Sequence, residues 1–189
     1  MVRIRASLPH RRRWGGPGLH PASDIPVTTG PAGPPTDPGM VRIALVDCVF
    51  CRIVAGTAPA SIAYADDTAV VFLDVAPATP GHLLVVPRRH ATGLADLDPD
   101  TGAHLWRVGQ RMAAALRRSE LRCEGVNFFL ADGAAAFQEV FHVHLHVLPR
   151  WKGDGFRMSY KPGRPYRQDL DDQAATLRAA DSGPPITAG

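Results

Sequence analysis

The segment that most constrains this chain is Phe141-His142-Val143-His144-Leu145-His146-Val147-Leu148-Pro149. Histidine alternates with Val, Leu and Val at the period of an extended strand, whose side chains point to opposite faces. His142, His144 and His146 therefore share one face, with Cβ atoms about 6–7 Å apart by strand rise, and Val143, Leu145 and Val147 enter a core on the other. A helix would scatter them. Removing three imidazoles from water on one face costs more than an idle strand has reason to bear. The segment points to an active site or a metal site, the two roles histidine serves most often.

At 189 residues the chain suits one domain with a sizeable core. Its 45% apolar and 21% charged residues are ordinary for a globular protein. No run approaches the roughly 18–20 apolar residues of a membrane span, and the N-terminus lacks the apolar core of a secretory signal. A cytoplasmic location without membrane attachment is the expectation. The formal charge of +3 is carried by residues 1–39, where Arg3, Arg5, Arg11, Arg12 and Arg13 face only Asp24 and Asp37. The remainder is neutral and lacks the basic excess of a nucleic-acid-binding surface. Cys48, Cys51 and Cys123 are too few, and odd in number, for a disulfide framework. Cys48-x-x-Cys51 reads as a metal half-site, a redox pair or coincidence, and Cys123 as an isolated thiol.

Residues 1–39 hold eight prolines and six glycines with little apolar periodicity. Such a composition cannot bury enough surface to offset ordering entropy, so disorder is expected there. Met40 opens a more regular stretch and is an expected alternative start of translation. A short helical turn is predicted over Cys48–Ala55, ending at Gly56. Strands are predicted at Ile62–Tyr64, Ala69–Leu73, His82–Val86, Val126–Leu130 and Val140–Leu148. Asp98 as N-cap and Pro99 at the first helical position open one long helix. Leu105, Val108, Met112 and Ala115/Leu116 form its buried stripe, and Arg117-Arg118 suit its C-terminus. Beyond Gly155 the chain turns polar, with a loosely held tail expected over Asp169–Gly189. Strands, a central helix and further strands predict α+β architecture with an antiparallel sheet.

Among the three histidines, the middle one has a neighbour on each side. A neutral imidazole attacks phosphorus well when a neighbour holds its other nitrogen, so His144 is the candidate nucleophile. Gln138 shares the triad's parity if the strand runs back that far, which would aim its amide at the same phosphate. The pattern His142-Val-His144-Leu-His146-Val-Leu resembles the signature of the histidine-triad (HIT) nucleotide hydrolases and transferases. The likeness includes Cys48-Val-Phe-Cys51-Arg-Ile-Val-Ala-Gly, Phe72-Leu-Asp74-Val, Pro80-Gly-His82-Leu-Leu-Val-Val-Pro-Arg-Arg-His90, Gln138, and Pro149-Arg150-Trp151-Lys152-Gly153-Asp154-Gly155-Phe156.

That resemblance implies a five-stranded antiparallel sheet with one long helix and a short N-terminal helix, and a HIT domain over residues 45–160. Residues 1–44 would be an extension and 161–189 a polar tail. It implies attack by His144 on the α-phosphate of an AMP conjugate, a phosphoramidate or dinucleoside polyphosphate, through a covalent nucleotidyl-histidine. No catalytic metal is implied. His146, Gln138 and His82 would assist; Asp74 would accept the ribose hydroxyls, and Phe50, Ile53, Phe72 and Val75 would hold the base. Cys48, Cys51, His90 and His142 would bind a structural Zn²⁺. A homodimer is implied, with the Leu105–Leu116 stripe as a candidate interface. The alternative is a zinc-stapled nucleotide-binding module with little turnover. Three positions depart from the family habit: Ala131 replaces an amide, Phe137 a glycine, and Glu139 a serine or threonine. A glycine at 137 would let backbone approach the phosphate closely, so Phe137 puts the leaving-group preference in question.

Overall fold

The computed structural model describes residues 48–183; the expectations for residues 1–44 and for Met40 lie outside them. Residues 48–156 belong to one compact unit and 157–183 to another. In the first, helix α1 spans Val49–Val54 and precedes strands β1 (Ile62–Ala65), β2 (Ala69–Leu73) and β3 (Leu83–Pro87). Helix α2 (Pro99–Arg118), β4 (Gly125–Phe129), a 3₁₀ turn at Ala134–Ala136 and β5 (Leu145–Arg150) follow. The strands form one antiparallel sheet in the order β1-β2-β3-β5-β4.

Period-two alternation sorts the side chains of the central strands into two cores. Ala69, Val71, Leu83, Val85, Val143, Leu145 and Val147 pack with Leu105, Val108, Met112 and Leu116 of α2 on one face. On the opposite face, Val70, Phe72, Leu84 and Val86 pack with Phe50 of α1. The long helix is capped as anticipated, with the Asp98 carboxylate accepting from Thr101 N at 2.8 Å. Its apolar stripe is buried against its own sheet, so those residues are not left over for a partner. Trp106 is the large apolar side chain α2 leaves half exposed, its ring edge-on to Phe128.

Asp66 ties the β1–β2 turn to this helix. Its carboxylate accepts from Thr68 N, Ala69 N, the Tyr64 hydroxyl and His104 Nε2, each at 2.7–2.8 Å. Burial alone would raise its pKa, but the hydrogen bonds from His104, Ala69, Thr68 and Tyr64 outweigh it and hold the carboxyl well below the usual range. Gly109 permits α2 to approach the sheet: a Cβ there would lie 3.1 Å from both Leu145 Cδ2 and Phe128 Cε2. Gly109→Val should therefore destabilise the protein by about 2 kcal/mol, overpacking outweighing the few tenths gained in helix propensity. A chemical-denaturation midpoint that did not fall would show that the two layers can separate freely.

Beyond shifts of one or two residues at element ends, one boundary and one element differ from expectation. β5 starts at Leu145, not Val140, because the preceding backbone bonds elsewhere. His142 N donates to Val140 O, Val143 N to Ala91 O, and the His142 carbonyl is taken by the His144 imidazole. The alternation of faces nevertheless persists from Val143 to Val147. In the second unit the polar tail contains a helix, α3 (Arg167–Ala180). Asp169 accepts from Tyr166 N at its start, Gln168 donates to Asp172 four residues on, and several alanines favour the helix.

Candidate functional site

β3, β5 and the loop after β2 bring the histidines together. His144 is buried, and its Nδ1–H donates to the His142 carbonyl at 2.7 Å. A carbonyl can only accept, so this bond fixes the tautomer and leaves the lone pair on Nε2. Burial pushes the His144 pKa down, against the hydrogen bond to His142 and the Asp74 charge. His146 is pushed down to about 4 by burial, then by the neighbouring His144 and His82. Both rings are neutral near pH 7. Phe50 meets the His144 ring edge-on, with centroids 5.2 Å apart.

His82 Nε2 lies 2.8 Å from His146 Nδ1, so one of the two nitrogens carries a shared proton. At its other side, His82 Nδ1 is 3.3 Å from Ala78 N and 3.4 Å from Asp74 Oδ2. Asp74, His82 and His146 place potential metal donors within 4.8 Å of one another. The 2.8 Å contact is nevertheless a hydrogen-bond spacing, shorter than the ~3.3 Å that two nitrogens keep around a tetrahedral zinc.

A second cluster has the opposite character. Cys51 Sγ lies 3.2 Å from His90 Nδ1 and 3.5 Å from His142 Nδ1, Cys48 Sγ is also 3.5 Å from His142 Nδ1, and the two imidazole nitrogens are 3.3 Å apart. Zinc–ligand bond lengths in a tetrahedron give edges of ~3.6 Å for sulfur–nitrogen and ~3.3 Å for nitrogen–nitrogen. The donor set fits Zn²⁺ in number, type and spacing. His142 Nε2–H donates to the Pro87 carbonyl at 2.9 Å, turning the Nδ1 lone pair to the cluster, as a metal-binding histidine requires. Burial, then the neighbouring Cys48, raises the Cys51 thiol to about 11. A cation between the sulfurs would reverse that preference and hold thiolates.

The remaining expected residues divide. Phe72 packs in the core 5.4 Å edge-on from Phe50, and Ile53 packs against the same cluster. Val75 stands apart at 97% exposure. Gln138 does not lie on an extension of β5. Its amide donates to the Thr92 and Val140 carbonyls and accepts from Gly133 N, which ties down the loop before the triad. In that loop Phe137 adopts a left-handed conformation, φ 69°, with its ring half exposed, a backbone state that glycine would hold without strain. Ala131 is buried; Glu139 lines an open depression of about 400 Å³ with Cys48, His90, Thr92 and Phe141. The Pro87 carbonyl and Ala78 N–H escaped the sequence reading, since backbone groups carry no residue signal. The Asp74–His82 approach could have been suspected from an Asp and a His flanking one turn-rich loop.

Comparison with known proteins agrees with this geometry. An uncharacterized HIT-like protein of Mycobacterium tuberculosis is 46% identical over 127 residues, covering 67% of this chain and 86% of that protein. The crystal structure of a Zn-bound histidine triad family protein from Mycobacterium smegmatis is 45% identical, with a TM-score of 0.57, covering 71% of this chain and 98% of the other. A HIT family hydrolase from Legionella pneumophila is 30% identical, with a TM-score of 0.50, covering 62% and 100%. Residues 55–153 match the HIT domain, and the chain belongs to that family.

Proposed function

We propose that this protein hydrolyses, or transfers the nucleotidyl group of, AMP conjugates such as nucleoside phosphoramidates or dinucleoside polyphosphates. The carrying observation is His144: one nitrogen is tied to the His142 carbonyl, and the other keeps its lone pair on a neutral ring. Nε2 attacks the α-phosphorus and the leaving group departs. Water then attacks the phosphorus of the nucleotidyl-histidine, releasing the nucleotide and restoring Nε2. The His142 carbonyl stabilises the ring as positive charge develops on it. His146, held by His82, faces the same reaction. The Legionella relative, a HIT family hydrolase, supports the reaction class.

In this proposal the ribose hydroxyls reach Asp74, and the base lies over Ile53, Val75 and the accessible edges of Phe50 and Phe72. Gln138 shapes the phosphate loop by anchoring its backbone. Cys48, Cys51, His90 and His142 hold a structural Zn²⁺, which supplies a cross-link between α1, the segment after β3 and the approach to β5. The zinc-bound mycobacterial relative and the donor spacing support this assignment. A cytoplasmic location suits two cysteines kept reduced as ligands. No helix among the described residues is long and apolar enough to cross a membrane. Homodimerisation is also proposed, through the half-exposed Trp106, which meets the partly buried Phe128 edge-on, and edge strand β4 rather than the buried helix stripe.

Rapid quenching during turnover of a radiolabelled AMP phosphoramidate should yield an acid-labile, alkali-stable adenylate on the peptide containing His144. Turnover with no labelled protein at any quench time would count against covalent catalysis.

A further inference from the structure

Breaking the bond from the α-phosphorus to an amine or alkoxide requires the leaving atom to take a proton. His144 cannot give one, because its only N–H is spent on the His142 carbonyl. A neutral His146 cannot either without becoming an imidazolate. The proton must be an extra one, held by the His82–His146 pair beyond its neutral complement. The structure contains a partner for that state. Asp74 Oδ1 accepts from Ala76 N at 2.8 Å, which orients the carboxylate, and Oδ2 lies 3.4 Å from His82 Nδ1. His82 Nε2 meets His146 Nδ1 at 2.8 Å. His82 Nδ1 is therefore served in both conditions: Ala78 N–H points at it when it is bare, and Asp74 accepts from it when it carries hydrogen.

We propose that Asp74 is a positioning residue for proton delivery, the counter-ion that allows the His82–His146 pair to hold one additional proton for the leaving group. This role rests on the covalent reading above and can coexist with a ribose contact, since a carboxylate has about four acceptor sites. When substrate binds, its phosphate anion joins Asp74 in favouring uptake of one proton from solvent. The pair then reads Asp74 carboxylate, H–Nδ1 of His82, Nε2–H to His146 Nδ1, and Nε2–H of His146. As the His144 Nε2–phosphorus bond forms and the bond to the leaving atom breaks, the electron pair stays on that atom. The leaving atom takes the His146 Nε2 proton, and the His82 Nε2 proton moves to His146 Nδ1. In the second step water bonds to phosphorus and the phosphorus–His144 electron pair returns to Nε2. The proton lost by water returns to His146 Nε2, and the His146 Nδ1 proton goes back to His82. The sum is conjugate plus water giving nucleotide plus protonated leaving group. Asp74 is the neighbour that opposes the burial-driven lowering of the His82 pKa, to which His144 also contributes.

The test compares Asp74→Asn with wild type in the full chain, using an alkylamine phosphoramidate of AMP and the p-nitrophenyl ester of AMP. The first leaving group needs a proton and the second does not. The 2′,3′-dideoxy form of each is also used. The kcat for the amine should fall about 100-fold or more, the usual scale of acid catalysis, and at least tenfold further than for the nitrophenyl ester. The same gap should persist on the dideoxy sugar, appear in His82→Ala, and narrow in Asp74→Glu. Turnover of the nitrophenyl ester checks that each variant is folded. Equal losses for both leaving groups, expressed in KM and vanishing on the dideoxy sugar, would mean that Asp74 only grips ribose and would overturn the proposal. Full activity of His144→Ala would overturn the covalent reading itself, a result distinguishable from failure of the Asp74 role.

Discussion

Alanine at position 144 is expected to lower turnover of an AMP conjugate by about a thousandfold or more, some 4 kcal/mol of transition-state stabilisation, while nucleotide binding survives. The size follows from what is removed. In the proposed mechanism Nε2 of His144 is the nucleophile, and none of its neighbours can replace it. The His142 Nδ1 lone pair points into the cysteine cluster, and His146 Nδ1 is engaged with His82. Alanine also opens a small cavity beside Phe50, which the ring meets edge-on. That packing loss acts on stability and not on the chemical step. The informative comparison is kcat against the dissociation constant of AMP measured by calorimetry on the same preparation. A fall in kcat with AMP affinity within severalfold of wild type is the expected pair. Unchanged turnover would remove His144 from the mechanism. A wild-type protein that binds AMP but turns over none of the conjugates would favour the binding-module reading.

Loss of the Cys₂His₂ ligands should cost the fold more than any other single intervention outside the main core. Cys51→Ala is expected to leave the protein without stoichiometric zinc and to lower its thermal midpoint by about 10 °C or more, the shift that a loss of ~3 kcal/mol gives a domain of this size. Elemental analysis of wild type purified without chelator should give about one zinc per chain. The cluster joins segments distant in sequence: Cys48 and Cys51 at α1, His90 after β3, and His142 before β5. Activity should fall too, because the His142 carbonyl that orients His144 belongs to a metal-binding residue. Zinc absent from active wild type would contradict the assignment. Chelation that abolishes activity reversibly, with no change in thermal midpoint, would instead point to a catalytic metal.

The long helix and the sheet were legible because their signals are local. Asp98-Pro99 marks a helix start, and the unbroken apolar runs at Val70–Phe72 and Leu83–Val86 mark strands buried on both faces. Cys48-x-x-Cys51 was legible as half of a site, but its partners His90 and His142 came from the family likeness and not from spacing. What escaped was set by tertiary contacts. The late start of β5 depends on bonds from Val143 N to Ala91 O and from the His144 ring to the His142 carbonyl. Gln138 looked like a strand residue aimed at phosphate, yet its amide is committed to three backbone groups. Val75 was named as a wall of the base slot by the family likeness alone, and that likeness carried no sign that its side chain stands 97% exposed. α3 was passed over because its window reads as polar, and its capping by Asp169 lies in the pairing of residues and not in the composition.

The sheet also works as a partition. The packing against α2 involves Val143, Leu145 and Val147, while Phe50 and the histidine rings occupy the reverse face. Substitutions that improve the fit beneath α2 touch none of the reacting atoms, and well-separated changes of this kind combine nearly additively. The two faces can therefore be altered on separate schedules: robustness can accumulate beneath the helix while the chemistry on the other side drifts toward new leaving groups.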